Sequence, residues 1–367
     1  MTSYQRTLSA LKREQPDRVP IFCYVDGTSP GTSQYFRGYV DSHADVFFTR
    51  VLYTGFHCTG LQPERIVRDL DEGWREIVCR FDGGIEFREV SKTGDKGDYT
   101  GYRKHLIRDR ADIERILRLP YLPPGENPRL AAWIGEINSF GARHCADGAF
   151  FRIAFLGPLG SLAGSVSPGD FAILAIEEEA AVRAYLDAAL VRQGEYIAYA
   201  LERLQVPAIM NIGGAEYAIP PLMSPKAFQE FIVPYDGRLV TLMHDHGRLV
   251  YYHCHGKVRA FLSSFIAMGA DGIHPLEPVG TTGDCDLAEV KRLFGKDICL
   301  IGNIQYDDLA RMPRGHVRRI VRDSVAAAKR GGGFILSPSC TPYHNPMPRR
   351  VEENIMTFIE TGLRYGN

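Results

Sequence analysis

The chain has 367 residues, 45% hydrophobic and 24% charged, the composition of an ordinary globular protein with a sizeable core. Lys+Arg at 43 against Asp+Glu at 44 leaves no net field for a polyanion, which argues against nucleic acid as a partner. No run of about eighteen apolar residues is present to span a membrane, and the opening "MTSYQRTLSALKREQPDRVP" is charged and amphipathic rather than a secretion signal, so a cytoplasmic protein is expected.

A first helix leads into "VPIFCYV" (19–25), the first candidate strand, and Asp26, Ser29 and Tyr35 just after it are candidates for a substrate pocket. A second strand is expected within "HADVFFTRVLYTGFHCTG". Residues 73–109 break the rhythm: "DGG" between alternating segments reads as a hairpin inserted into a loop. From about residue 148 onward, short apolar runs alternate with helical patterns. The runs are "FFRIAFLG" (150–157), "AIMNIGG" (208–214), "LVYYHCHG" (249–256), "GIHPLEP" (272–278), "ICLIGNI" (298–304) and "GFILSPSC" (333–340). Runs apolar on both faces and separated by helices imply parallel strands. About eight such units predict an α/β fold, a single (β/α)8 TIM barrel over 1–367 with the hairpin in its N-terminal third. A doubly wound open sheet is the alternative, but no G-x-G-x-x-G or G-x-x-x-x-G-K-[ST] follows a strand.

In a barrel the C-terminal strand ends form the active-site mouth. That rule gathers Glu216, His253, His255, His274, Glu277, Asn303 and Cys340 on one rim. If 249–255 is a strand, His253 and His255 share a face and Cys254 turns away into packing. A lone His at a strand end is more often a hydrogen-bonded core residue than a ligand. Two at i and i+2, with a Cys ending a later strand, favour a metal, and zinc takes these residue types. Glu216, His253, His255 and Cys340 are therefore the candidate ligands, with Glu216 or His253 alternatively the acid/base beside the metal. Asp26, Tyr35, His274, Glu277 and Asn303 are the candidates for holding substrate; Glu277 is alternatively a supporting residue, and Asn303 alternatively a loop contact. The eight cysteines lack any C-x-x-C pair, so reduced thiols are expected.

The stretch from "GAEYAIPPLMSPKAFQEFIVPYDG" through "HCHGK" and "GADGIHPLEPVG" to "GGGFILSPSCTPYHN" resembles the uroporphyrinogen decarboxylase superfamily, and within it the zinc-dependent corrinoid methyltransferase branch. In that branch a strand carries His-x-Cys-Gly and a distant Cys completes a zinc site. Here the first motif reads His253-Cys254-His255-Gly256, with His255 in place of the cysteine, and Cys340 stands for the distant one. The arginine-rich "RQAGRY"-like segment of the true decarboxylases is replaced by "VDGTSPGTS", with no arginine between the first candidate strand and Arg37. The resemblance thus implies a zinc enzyme moving a methyl group from a small methylated donor, most simply an aromatic methyl ether, to cobalamin carried by a partner corrinoid protein. The chain has no D-x-H-x-x-G cobalamin segment of its own. A metal-independent decarboxylase of a carboxylated substrate is the alternative, and a homodimer the common assembly at this size.

Overall fold

The computed structural model describes residues 1–25, 29, 31–93, 100–280 and 282–367. Its strands are β1 (Phe47–Val51), β2 (Glu64–Asp69), β3 (Arg75–Arg80), β4 (Glu86–Thr93), β5 (Thr100–Lys104), β6 (Phe150–Leu156), β7 (Ala208–Gly213), β8 (Val250–His253), β9 (Gly272–Leu276), β10 (Cys299–Ile304) and β11 (Phe334–Pro338). Seven of them form a parallel sheet in the order β1-β6-β7-β8-β9-β10-β11, with helices between successive members, a TIM-barrel-like arrangement.

The strand expected over 19–25 is reduced to one bridge, Ile21 to Leu336. Phe22 N–H donates to Leu336 O at 2.9 Å, and Asp45 N–H donates to Ile21 O at 3.0 Å, so this segment lies between β11 and the entry to β1. Its brevity has local causes. Pro20 has no N–H to give a ladder. The Asp45 carboxylate takes the Ile21 N–H at 2.8 Å, where a strand partner would have stood. Tyr24 is left-handed (φ 53°) and turns the chain out of extension.

Between β1 and β6, the expected single hairpin over 73–109 is replaced by a four-stranded antiparallel sheet in the order β2-β3-β4-β5. The "DGG" turn (82–84) does join β3 to β4. Strand β2, "ERIVRD", is almost wholly exposed, so it shows no buried face for a pattern to reveal. Charges across the sheet hold it in register: Arg80 pairs with both Glu64 and Glu86.

Two apolar layers follow from strand alternation. Outward residues such as Phe151, Ile212, Tyr252, Ile273 and Leu300 pack beneath the helices. Inward residues Phe22, Phe47, Phe150, Ile209, Tyr251, Ile301 and Ile335 fill the barrel, joined by Ala10 and Leu11 of the first helix, Ser3–Leu11. That helix closes the N-terminal end of the strands: a Cβ on Gly272, where β9 begins, would lie 2.9 Å from Leu11 Cδ2. The opposite, C-terminal end is where chemistry has access.

One buried group makes the fold sensitive to pH. Asp236, on helix Val233–Asp245, is 1% exposed, and among the described residues neither of its carboxylate oxygens has a hydrogen-bond partner. Burial pushes this carboxyl up to about 8 from 3.8. Because the folded-state value is raised, the stability it contributes is complete below the unfolded value and is lost as pH rises through the folded one. Asp236→Asn is expected to remove that slope and to be more stable than the parent, by about 2 kcal/mol or more at pH 7. Melting curves at pH 4 to 8 check this: the gap must widen with pH, and parallel curves would show that Asp236 folds ionised.

Candidate active site at the C-terminal rim

The exit of β7 delivers the first carboxylate. Gly214 is left-handed (φ 98°), and a Cβ there would lie 2.5 Å from Gly160 Cα, so only glycine permits this turn. The next residues form a short 3-10 turn, Ala215–Ala218, and Gly214 N–H donates to Glu216 Oε2 at 3.1 Å. Burial pushes the Glu216 carboxyl up, partly offset by His255 and by these backbone donors.

Strand β8 alternates as its pattern implies: Tyr251 belongs to the inner layer, whereas Tyr252 and Cys254 are fully buried in the outer one. Beyond its end, the His255 side chain is 40% exposed and its Nδ1 lies 3.5 Å from Glu277 Oε1. Glu277, just past β9, is 5% exposed. Gly256 N–H donates to its Oε2 at 2.9 Å and Gln305 Nε2 to its Oε1 at 3.4 Å. Burial alone would raise this carboxyl, but His255, Gly256 and Gln305 outweigh it and hold Glu277 below the usual range. Gln305 is fixed in turn by Ser339, whose Oγ donates to its Oε1 at 2.9 Å.

Glu216, His255 and Glu277 line one cavity of about 520 Å3, with Lys257 on the same lining and an apolar wall at residues 219–222. A carboxyl biased toward its acid form and a carboxylate held ionised thus share a pocket, the arrangement that separates acid and base roles. A cavity of about 530 Å3 beside β1 and β6 is walled mainly by apolar side chains and has no carboxylate. Its His57 lies 2.8 Å from Tyr185 Oη, and burial pushes it down to about 4. Of these two cavities, the first brings carboxylates and an imidazole together.

Below the rim, His253 and His274 face each other across the β8–β9 register, their Nδ1 atoms 2.8 Å apart. His274 is fully buried and its Nε2 lies 3.0 Å from Pro338 O. A carbonyl only accepts, so His274 carries its proton on Nε2 and its Nδ1 is a lone pair. His253 therefore donates from Nδ1, and its Nε2 is left as a free acceptor. Burial keeps both rings neutral, pushing His253 down to about 3 and His274 well below its usual value.

The remaining expected residues are placed less uniformly. Cys340 follows β11 and its thiol is pushed up to about 11, first by burial and also by Glu277. Among the described residues no three His, Cys, Asp or Glu side chains converge closely enough to hold a metal ion. Glu216 and His255 line the cavity, with His253 below the rim and Cys340 just past β11, and the four do not converge in this structure. Asn303 points away from it, accepting from Ser324 Oγ of the outer helix Arg314–Ala328 at 3.3 Å. Tyr35 is 73% exposed on helix Gln34–His43, outside the cavity. Asp26 lies outside the described residues. His274 orients His253 rather than lining the cavity. Two residues that shape the site carry little sequence signal, Gln305 and Ser339. Arg152, whose charge acts on His253 below the rim, stands as a lone charge in the apolar run "FFRIAFLG", and that signal could have found it.

Residues 158–365 match the family model described as uroporphyrinogen decarboxylase (URO-D), a stretch that takes in Glu216, His253, His255, Glu277 and Cys340. The solved structure of a methyltransferase from Methanosarcina mazei is similar over 100% of this chain and 99% of its own, with a TM-score of 0.61 and 18% identity, a likeness of fold. No curated protein matches the sequence.

Proposed function

The chain belongs to the uroporphyrinogen decarboxylase family, and within that family we propose that it is a methyltransferase, taking the methyl group of a small methylated donor, an aromatic methyl ether, for a corrinoid protein. The observation that carries this reading is the rim cavity in which Glu216, His255 and Glu277 face an apolar wall. Breaking a methyl ether leaves a basic oxygen, and a positioned proton lowers that cost. Glu216, biased by burial toward its acid form, is the proton donor to that oxygen. Residues 219–222 give the aromatic ring its apolar seat. His255, steadied by Glu277, fixes the donor's orientation at the mouth. The fold shared with a methyltransferase supports the reading, as does the absence of an arginine-rich segment ahead of Arg37.

The acceptor proposed is a corrinoid on a partner protein, which supplies the nucleophile that takes the methyl group. The four-stranded sheet leaves from the C-terminal end of β1, the same end of the barrel as the cavity, and is the proposed docking surface. Zinc belongs to the proposal as well, and when bound it would supply Lewis-acid chemistry for the leaving group. With Glu216 kept as the acid, His253, His255 and Cys340 would hold it, and His255 and Cys340 would have to leave Glu277 and Ser339, their partners here. That rearrangement favours a second reading, a metal-independent decarboxylase.

Purified protein incubated with cob(I)alamin and methoxylated aromatics is expected to release the corresponding phenol as the cob(I)alamin absorbance decays. Carbon dioxide release from a carboxylated substrate, without phenol, would establish the second reading instead. Metal analysis of the same preparation is expected to give one zinc per chain, lost in His255→Ala and Cys340→Ala and retained in Cys254→Ser. Zinc that survives His255→Ala but not Cys254→Ser would overturn the ligand assignment.

A further inference from the structure

Arg152 is the unexplained charge inside the barrel. It lies on the inward face of β6, since Phe151 and Ile153 pack in the outer layer and Phe150 in the inner one. Its Nε donates to Thr49 Oγ1 at 3.1 Å, and its guanidinium lies over the Tyr24 ring, 5.0 Å from the centroid. Among the described residues no carboxylate pairs with it, and the groups within its reach are the neutral oxygens of Thr49, Tyr24 and Tyr251. A guanidinium does not lose its proton in a protein, so this charge stays within the barrel. Its neighbours do not answer it: His253 and His274 are neutral rings with no charge to offer.

Two further donors sit beside it. The hydroxyls of Tyr24 and Tyr251 are buried within reach of the guanidinium, and among the described residues neither O–H has a well-formed hydrogen bond of its own. Buried polar groups are almost always satisfied, and a set of donors with no acceptor is the complement of an anion. The N-terminal side is closed. Beneath Arg152 the rings of Phe22, Phe47 and Phe150 make a floor, with Phe22 and Phe47 centroids 4.6 Å apart, and the first helix seals it. Above it, rings lead to the mouth: Tyr24 to His274 at 5.1 Å, His274 to His253 at 5.0 Å, His253 to His255 at 4.7 Å.

We propose that Arg152, with the hydroxyls of Tyr24 and Tyr251, forms an anion subsite that holds a carboxylate of the small substrate at the base of the barrel. The group enters from the C-terminal mouth and leaves the other end of the molecule at the histidines. Tyr251 and His253 are two residues apart on one strand, roughly 7 Å, so the ligand is a compact acid, about one ring in length. Its identification as the methyl donor rests on the reading above, and the subsite itself does not.

Calorimetric titration of the purified full chain with benzoate and benzamide, and with 4-methoxybenzoate and 4-methoxybenzamide, tests this without any turnover. Each acid is expected to bind at least about tenfold more tightly than its amide at pH 7, the value of one charge-assisted contact set. Arg152→Gln is expected to bring acid and amide to parity. Tyr251→Phe, which removes only a hydroxyl, is expected to weaken the acids several-fold and leave the amides unchanged, and it stands in if Arg152→Gln does not fold. Equal binding of acid and amide by the parent, or a preference that survives these substitutions, overturns the subsite. Phenol release from neutral methoxybenzene without any acid preference would remove the subsite and leave the methyltransferase reading intact. Acid preference without phenol release from any donor would do the reverse.

Discussion

Glu216→Gln is expected to lower phenol release by about two to three orders of magnitude, the usual worth of a general acid, while melting within about 1 °C of the parent. The isostere keeps the contact that places the side chain, since its amide oxygen still accepts from Gly214 N–H, the bond that Glu216 Oε2 makes at 3.1 Å. What it loses is the transferable proton. Burial raises the Glu216 carboxyl, so the parent is active in its protonated form and its turnover falls as pH rises through that raised value. In the variant this alkaline limb disappears, because nothing remains at the position to deprotonate. Turnover measured from pH 5 to 9 in both proteins separates the roles. If the variant retains the limb, another group supplies the proton, and if it is as fast as the parent, Glu216 has no part in the chemistry.

Why the sequence reveals some of this site and hides the rest follows from what each residue depends on. Strands β6 to β11 are readable because each is a short run apolar on both faces, buried by the barrel on one side and helices on the other. The segment 19–25 has the same pattern and forms one bridge, because Pro20, the Asp45 carboxylate and the left-handed Tyr24 act against a ladder there. Strand β2 pairs through charged, exposed positions and has no apolar face to announce it. At the site, the strand-end rule brings Glu216, His255 and Glu277 to one cavity, since their places depend on the chain immediately before them. Roles that depend on another strand are not local. The partnership of His253 with His274 needs the β8–β9 register, and Asn303 is turned toward Ser324, twenty-one residues further on. Arg152 is visible in sequence as a charge in an apolar run, but only the barrel shows that no acidic neighbour stands beside it among the described residues.

His274→Leu is expected to cost stability and activity together, whereas His274→Gln should restore most of both. His274 is fully buried and serves two partners, donating from Nε2 to Pro338 O at 3.0 Å and accepting at Nδ1 from His253 at 2.8 Å. Leucine fills the space but leaves a buried carbonyl and a buried imidazole N–H unpaired, each worth about 1–3 kcal/mol. The melting temperature should drop by a few degrees on that account. Activity should fall by about 10- to 100-fold, the usual effect of removing the group that orients an active-site histidine, because His253 loses the contact that fixes its proton on Nδ1 and leaves Nε2 free toward the mouth. Glutamine is neutral and does not titrate, yet its amide nitrogen can donate to Pro338 O and its oxygen can accept from His253. Recovery by glutamine would therefore show that His274 acts by direction of hydrogen bonding and not by carrying charge. If glutamine is as poor as leucine in turnover while matching the parent in melting temperature, the imidazole itself takes part in the reaction and the positioning role is wrong.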